Sequence, residues 1–166
     1  ALTGREGAAL ESYKKTVLEL NNQVIAQAPK DLIINTHVCR GNYHSTYFSS
    51  GAYDGVADLL FGEENVNAYY LEYDDERSGG FAPLAKMTGE KKVVLGLVTT
   101  KTPELEDKAK IIARIHEAEK YIPLERLYLS PQCGFASCEI GNKLTEEEQW
   151  AKLKLVKEIA EEVWGK

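Results

Sequence analysis

The segment Lys92–Val98 reads KVVLGLV and shows almost no alternation between apolar and polar residues. A strand of this kind is covered on both faces, as strands are in parallel sheets with helices packed on them. Three other apolar segments have the length of short strands: LIINT at 32–36, NAYYLEY at 67–73 and RLYLS at 126–130. These four segments predict that a buried sheet is the framework of the fold.

Segments with an apolar residue at about every 3.6 positions precede and follow these strands. They predict helices over 7–27, 53–61, 81–87 and 104–120, and a last helix that begins at Thr145. For the helix at 104–120, Thr102 and Pro103 have the residue types of an N-cap and a first helical position. The last helix begins with a capping box, in which Glu148 follows Thr145 by three residues.

Four successive βα units predict an α/β fold in which parallel strands alternate with helices. A complete (βα)8 TIM barrel needs eight units and about 250 residues, whereas this chain has 166. The residues alone therefore leave three interpretations: the C-terminal half of a (βα)8 TIM barrel, two halves that associate, or a small doubly wound sheet. We expect 1–166 to form a single domain.

Charge and composition argue against several classes of partner. The net charge is −6 and the basic residues are scattered among acidic ones, so we expect no nucleic-acid partner. The first residues, ALTGREGAAL, resemble neither a signal peptide nor a membrane span, so we expect no membrane association and a cytoplasmic protein. Because the chain starts at Ala1 without an initiator methionine, we expect it to be a piece of a longer polypeptide.

His37 and Cys39 lie two residues apart at the end of the first predicted strand. In an extended segment, residues i and i+2 point to the same side, and imidazole and thiolate together suit zinc. A buried thiol beside a core histidine is the alternative interpretation of this pair. The chain has three cysteines, which is too few for a disulfide framework, and an odd count in a reducing compartment favours metal or thiol chemistry.

Glu72 and Cys133 follow the second and fourth predicted strands. Glu72 alone would also fit the solvated rim of a sheet. In parallel α/β folds, however, the carboxyl ends of the strands share one edge, and sites are built there. His37, Cys39, Glu72 and Cys133 all come to that edge, so together they predict a metal site. Cys138 is predicted to be a small buried or half-exposed thiol that could form a disulfide with Cys133 if metal were lost.

Three motifs connect the chain to a known family. THVC at 36–39, LEYDDERSG at 71–79 and IPLERLYLSPQCGF at 122–135 resemble the C-terminal barrel of cobalamin-independent methionine synthase, most closely its short bacterial single-barrel relatives. The resemblance implies a (βα)8 barrel whose last four strands are present here and whose front half is absent. It also implies a zinc ion held by His37, Cys39, Glu72 and Cys133.

The resemblance further implies an enzyme, a zinc-dependent homocysteine S-methyltransferase. Such an enzyme makes methionine from a methyltetrahydrofolate-type donor, with the zinc-bound substrate thiolate as nucleophile, and its small-molecule substrates are homocysteine and methyl-folate. Two alternatives are another zinc-dependent thiol alkyltransferase, with a corrinoid-linked donor or a different thiol, and a non-catalytic zinc-binding α/β module. We expect the isolated chain to be incomplete and to associate with the missing N-terminal half-barrel or with itself.

One position departs from the family pattern. The larger members of the family have a histidine near the end of the seventh barrel strand, which is proposed to assist the reaction, and Val98 occupies the matching place here. The resemblance therefore identifies neither the methyl donor nor the residue that handles protons. Thr99 and Lys101 are polar neighbours to which the sequence assigns no role.

Overall fold

The computed structural model describes residues 3–165 and contains four parallel strands that neighbour one another in chain order. The strands are β1 (Asn35–Val38), β2 (Ala68–Glu72), β3 (Lys92–Val98) and β4 (Leu127–Pro131). Each strand pairs in parallel with the next one along the chain. The predicted α/β fold with a parallel sheet is therefore confirmed.

Helices connect and flank the strands. They are α1 (Gly7–Ile25), α2 (Ala57–Glu63), α3 (Lys108–Glu119) and α4 (Glu146–Trp164). The predicted capping box of α4 is present: the Thr145 hydroxyl accepts the N–H of Glu148 at 3.2 Å, and the Glu148 carboxylate accepts the N–H of Thr145 at 2.7 Å. The helix predicted at 81–87 is instead a short 3-10 helix, Ala82–Lys86. Within residues 3–165 no helix has both the length and the apolar composition needed to cross a membrane.

The core lies between one face of the sheet and the helices. Every residue from 93 to 98 of β3 is buried, as the lack of alternation in KVVLGLV predicts. A chain of aromatic rings with centroids 4.6–5.8 Å apart fills the space beside β2. Its members are Tyr53, Phe61, Tyr69, Tyr73 and Phe81. Tilted and edge-on ring pairs at these distances add stabilisation beyond the area they bury.

The opposite face of the sheet carries large side chains that are only partly covered. Tyr70 of β2 and Tyr128 of β4 are 40% and 42% exposed, although their strand neighbours Tyr69 and Leu127 are buried. In a closed barrel, residues on this face line the interior and pack against the other strands. The exposed tyrosines therefore lie on the face that would line the interior if a sheet of this kind were closed into a barrel.

The first strand lies further along the chain than the sequence predicts. The prediction placed it at 32–36, whereas β1 pairs with β2 from Asn35 to Val38, so His37 lies inside the strand. Leu32 and Ile33 precede this pairing and are 55% and 72% exposed. Their apolar character suggested a buried strand, but the described residues contain no partner strand beside them.

The helix after β3 also begins later than predicted. Its N-cap is Asp107 rather than Thr102. The residues before it are held in an irregular conformation by Lys152 of α4, which donates to the carbonyl of Glu104 at 2.7 Å and to the carboxylate of Glu106 at 3.2 Å. Because these groups bind a residue distant in sequence, local helix signals at 102–104 do not decide where α3 starts.

Candidate metal centre

Four potential ligand side chains meet at the carboxyl edge of the sheet. His37, Cys39, Glu72 and Cys133 each place one ligand atom within 4.8 Å of the others. His37 Nε2 lies 3.2 Å from the sulfur of Cys133, and that sulfur lies 3.6 Å from both Cys39 Sγ and Glu72 Oε1. These are the four residues that the sequence predicts to come together.

The cluster joins the two edge strands of the sheet. Strands are spaced by about 4.8 Å, so β1 and β4 would lie about 14 Å apart in a flat sheet of four strands. The imidazole of His37 from β1 nevertheless reaches the thiol of Cys133, which follows β4. Curvature of the sheet and the reach of the side chains together close this gap.

A backbone contact orients His37. Its Nδ1 lies 3.0 Å from the carbonyl oxygen of Tyr70. A carbonyl only accepts hydrogen bonds, so Nδ1 carries the proton and Nε2 keeps its lone pair on the side of Cys133. This arrangement is the one in which a histidine is ready to bind a metal through Nε2.

Glu72 is the most deeply placed of the four side chains. It is completely buried, and its Oε1 accepts the backbone N–H of Arg40 at 2.5 Å. Its Oε2 is buried and has no hydrogen-bond partner among the residues that the structure describes. A buried carboxylate with an unpaired oxygen is unfavourable unless a cation or a donor completes it.

Arg40 and Tyr53 hold Glu72 in place. The hydroxyl of Tyr53 accepts the backbone N–H of Glu72 at 2.9 Å and the guanidinium N–H of Arg40 at 2.8 Å. The guanidinium also lies 4.2 Å from the centre of the Tyr53 ring and donates to the carbonyl of Gly51. Sequence analysis missed these two supporting residues, because nothing in their local pattern distinguishes them from ordinary loop and core residues.

The two cysteines of the cluster differ in environment. Cys39 is exposed, and its sulfur accepts the backbone N–H of Gly41 at 3.2 Å. Burial raises the pKa of the Cys133 thiol, and the charge of Glu72 and the neighbouring Cys39 raise it further. Without a cation this thiol therefore stays protonated at neutral pH. Cys138 is partly buried and is not a member of the cluster.

Gly96 of β3 lies between the strands that carry Glu72 and Cys133. A Cβ atom at this position would lie 2.6 Å from the Cα of Gln132 and 2.7 Å from the carbonyl oxygen of Leu71. Contacts this short require the backbone to move. Glycine therefore allows the carboxyl end of β3 to pack directly against both neighbouring chain segments.

The loops that leave β1 and β4 are hydrogen-bonded to each other. The Asn42 side chain donates to the carbonyl of Gly134 at 2.5 Å, and the Ser45 hydroxyl donates to the Asn142 side chain at 3.0 Å. Two residues of the first loop, His44 and Ser45, have positive φ angles of 45° and 63°. The loop is thus fixed in a definite shape beside the cluster.

The polar residues after β3 line the same edge of the sheet. Val98, the last residue of β3, is completely buried. Thr99, Thr100 and Lys101 follow it, and the Thr100 hydroxyl donates to the carbonyl of Gly134 at 3.2 Å. Lys101 is the cationic side chain of this segment, and it lines a cavity together with Thr99 and Asp74.

Comparison with known proteins identifies relatives of the whole chain. Residues 6–162 match the family described as cobalamin-independent synthase, catalytic domain. The uncharacterized protein YxjG of Bacillus subtilis is 53% identical over 159 residues, which is 95% of this chain and 42% of that protein. The chain thus spans about two fifths of the length of the curated relatives it matches.

Two solved structures have the same fold over nearly the whole chain. The putative vitamin-B12 independent methionine synthase of Listeria monocytogenes superposes with a TM-score of 0.73 and 43% identity, covering 98% of this chain and 44% of that one. A B12-independent methionine synthase of Shewanella superposes with a TM-score of 0.71 and 21% identity, which supports the fold alone, and covers 95% of this chain and 46% of that one. The four strands are half of such a barrel-type fold, and the chain belongs to the cobalamin-independent synthase catalytic-domain family.

Proposed function

We propose that His37, Cys39, Glu72 and Cys133 hold a zinc ion in the C-terminal half of a homocysteine S-methyltransferase barrel. The observation that carries the proposal is the buried Glu72 carboxylate, which has one unpaired oxygen and lies 3.6 Å from the Cys133 sulfur. One imidazole, two thiols and one carboxylate are a ligand set that zinc prefers. Burial and, after it, the charge of Glu72 raise the pKa of Cys133, and a cation at this position would oppose both effects.

The supporting contacts suit a metal ligand set. The Tyr70 carbonyl leaves Nε2 of His37 free to bind, and Gly41 directs an N–H at the Cys39 sulfur. A carboxylate oxygen is a harder ligand than imidazole or thiolate, so we expect Glu72 to be the ligand that zinc holds least tightly. When bound, zinc supplies the positive charge that keeps a substrate thiol deprotonated at neutral pH.

Exposure favours a substrate-binding site over a purely structural one. His37 and Cys39 are both exposed, whereas Glu72 and Cys133 lie deeper. Structural zinc sites are closed by four protein ligands, while catalytic sites keep an accessible position, which Glu72, as the weakest ligand, would give up to the substrate thiol here. The accessible side of the cluster is where the thiol of homocysteine would approach, with a methyltetrahydrofolate-type molecule as the methyl donor.

We further propose that the isolated chain lacks part of the substrate site. The chain has only half of the strands of a barrel, and a front half-barrel would face the accessible side of the cluster. That half would supply the remaining contacts to the amino acid and to the donor. The proposed reaction therefore belongs to the assembled barrel, and the proposed zinc site belongs to this chain.

Metal removal combined with a donor assay tests the proposal. We expect one zinc per chain. We expect chelation to leave the helical content unchanged, because the aromatic core packs without contact to the metal. Unfolding on chelation would favour the non-catalytic zinc-binding module instead. Methyl transfer to homocysteine should occur when the chain is mixed with a front-half polypeptide and methyltetrahydrofolate. Transfer from methylcobalamin alone would favour the corrinoid-linked alternative.

A further inference from the structure

A cavity of about 430 Å³ lies beside the segment that follows β3, and one of its lining residues, Asp74, is two residues from Glu72 of the candidate metal centre. The proposed function does not use this cavity. The segment after β3 forms one wall of the cavity. The residues that line it are Ser45, Thr46, Tyr47, Asp74, Asp75, Thr99, Lys101 and Thr102. In this segment, Thr100 donates its N–H to the side chain of Gln132 at 2.6 Å and its hydroxyl to the carbonyl of Gly134 at 3.2 Å. The wall is thereby tied to the residues on both sides of Cys133.

The ammonium of Lys101 is buried and has no hydrogen-bond partner among residues 3–165. The chain treats another buried lysine differently. Lys152 donates to the carbonyl of Glu104 at 2.7 Å and to both carboxylate oxygens of Glu106 at 3.2 Å. A buried ammonium without an acceptor is costly. Unlike Lys152, Lys101 therefore lies where an added acceptor would lower the free energy of the folded chain.

The acidic residues of the cavity are already engaged by another cation. Arg77 donates to both carboxylate oxygens of Asp74 at 3.2 Å and to the carboxylate of Asp75 at 2.5 Å. Burial raises the pKa of Asp74, and the charges of Arg77 and, more weakly, Lys101 oppose this effect. Lys101 therefore lines the cavity without a hydrogen bond to either carboxylate.

We propose that Lys101 is an anion subsite that binds a carboxylate of the substrate whose reaction takes place at the adjacent metal centre. This inference rests on the proposed function. An ammonium and a carboxylate form a charge-assisted hydrogen bond, which would satisfy the buried donor of Lys101. Two substrates could bring the carboxylate: the amino acid part of the acceptor thiol, or the glutamate tail of a folate-type donor.

The first experiment tests whether the acceptor thiol brings the carboxylate. It uses two thiols that differ only in charge, homocysteine and homocysteinamide. Their affinities for the cobalt-substituted chain, assembled with a front-half polypeptide, are measured from the absorption band that thiolate binding produces. If the acceptor brings the carboxylate, the parent chain should prefer homocysteine by about tenfold or more, as expected for a hydrogen bond to a charged group. Lys101→Met should lose this preference and keep its metal content. Lys110→Met, which changes an exposed lysine of α3, should behave like the parent.

The second experiment tests whether the glutamate tail of the donor brings the carboxylate. It compares the affinities of para-aminobenzoylglutamate and its diamide, measured by calorimetry. A preference for the charged compound that disappears in Lys101→Met assigns the subsite to the donor tail. Equal behaviour of the parent and Lys101→Met chains in both experiments would overturn the proposal. If neither thiol binds the parent chain in the assembled barrel, the result counts against the proposed function, and the donor experiment on the same assembly still decides whether Lys101 binds an anion.

Discussion

His37 Nε2 lies 3.2 Å from the sulfur of Cys133, although 96 positions separate the two residues in the chain. They belong to opposite edges of the sheet, so neither edge strand contains a complete set of ligands. The contact depends on correct pairing of all four strands. It therefore links formation of the fold to assembly of the site.

Replacing either cysteine of the cluster should remove zinc. We expect Cys39→Ser and Cys133→Ser to lower zinc affinity by more than about a hundredfold, because each loses a thiolate ligand and not merely a supporting contact. Metal analysis after dialysis against a weak chelator measures the effect. Cys138→Ser is the matched control and should keep one zinc per chain. Undiminished zinc in either cluster variant would contradict the ligand assignment.

Glu72→Gln should retain more zinc than the cysteine variants. The carboxamide keeps an oxygen that can accept the N–H of Arg40, which lies 2.5 Å from Oε1, and it removes only the ligand held least tightly. Competition with a chromophoric chelator gives the three affinities under the same conditions. A Glu72→Gln chain with less zinc than Cys133→Ser would show that the carboxylate is a principal ligand.

Stability at alkaline pH should depend on Tyr53. Burial raises its pKa to about 12, with Arg40 opposing the shift, whereas tyrosine in an unfolded chain titrates near pH 10. The fold favours the protonated hydroxyl, so the stability that depends on it is complete below pH 10 and is lost as the pH rises towards 12.

Urea unfolding between pH 8 and pH 12 measures this dependence. The free energy of unfolding of the Tyr53→Phe chain should fall less steeply than that of the parent above pH 10, because one titrating group is gone. Part of the fall should persist, since burial also raises the pKa of Tyr69 and Tyr73. Identical curves for parent and variant would exclude Tyr53 as a contributor.

Zinc removal in air should produce a disulfide between Cys39 and Cys133. Their sulfurs lie 3.6 Å apart, so a small movement brings them to bonding distance. The sequence suggested Cys138 as the partner of Cys133, but this contact favours Cys39. Thiol counting before and after chelation should show a loss of two thiols in the parent and in Cys138→Ser. An unchanged count in air would rule the disulfide out.

The isolated chain should associate. Tyr70 and Tyr128 expose about two fifths of their surface on the face that a front half-barrel would cover, and each Å² of apolar surface left in water costs about 25 cal/mol. Light scattering should detect self-association, and addition of a front-half polypeptide should replace it with a one-to-one complex. A compact monomer that methylates homocysteine unaided would contradict both the association and the proposed incompleteness.

The parallel sheet could be predicted from sequence because its signal is strong and local. KVVLGLV has no polar face, and β3 is buried on both sides. Placement of His37, Cys39, Glu72 and Cys133 at one edge then follows from topology, since the carboxyl ends of parallel strands lie together.

The features that could not be predicted depend on residues distant in sequence. Lys152 binds Glu104 and Glu106 from another helix and so holds the residues before α3, and the helix starts after them at the Asp107 cap. The position of β1 is decided by its pairing with β2, and apolar residues ahead of that pairing are exposed. The supporting contacts that Arg40 and Tyr53 make to Glu72 have no counterpart in local sequence patterns.

Gly96 limits the positions that the chain segments on either side of it can take. Because only a hydrogen atom fits between this residue, the carbonyl of Leu71 and the Cα of Gln132, the chain segments that carry Glu72 and Cys133 lie directly against the main chain of β3. Any side chain at position 96 would push these two segments apart, and with them two of the four candidate ligands. A residue that offers no ligand atom therefore limits how the candidate site can be assembled.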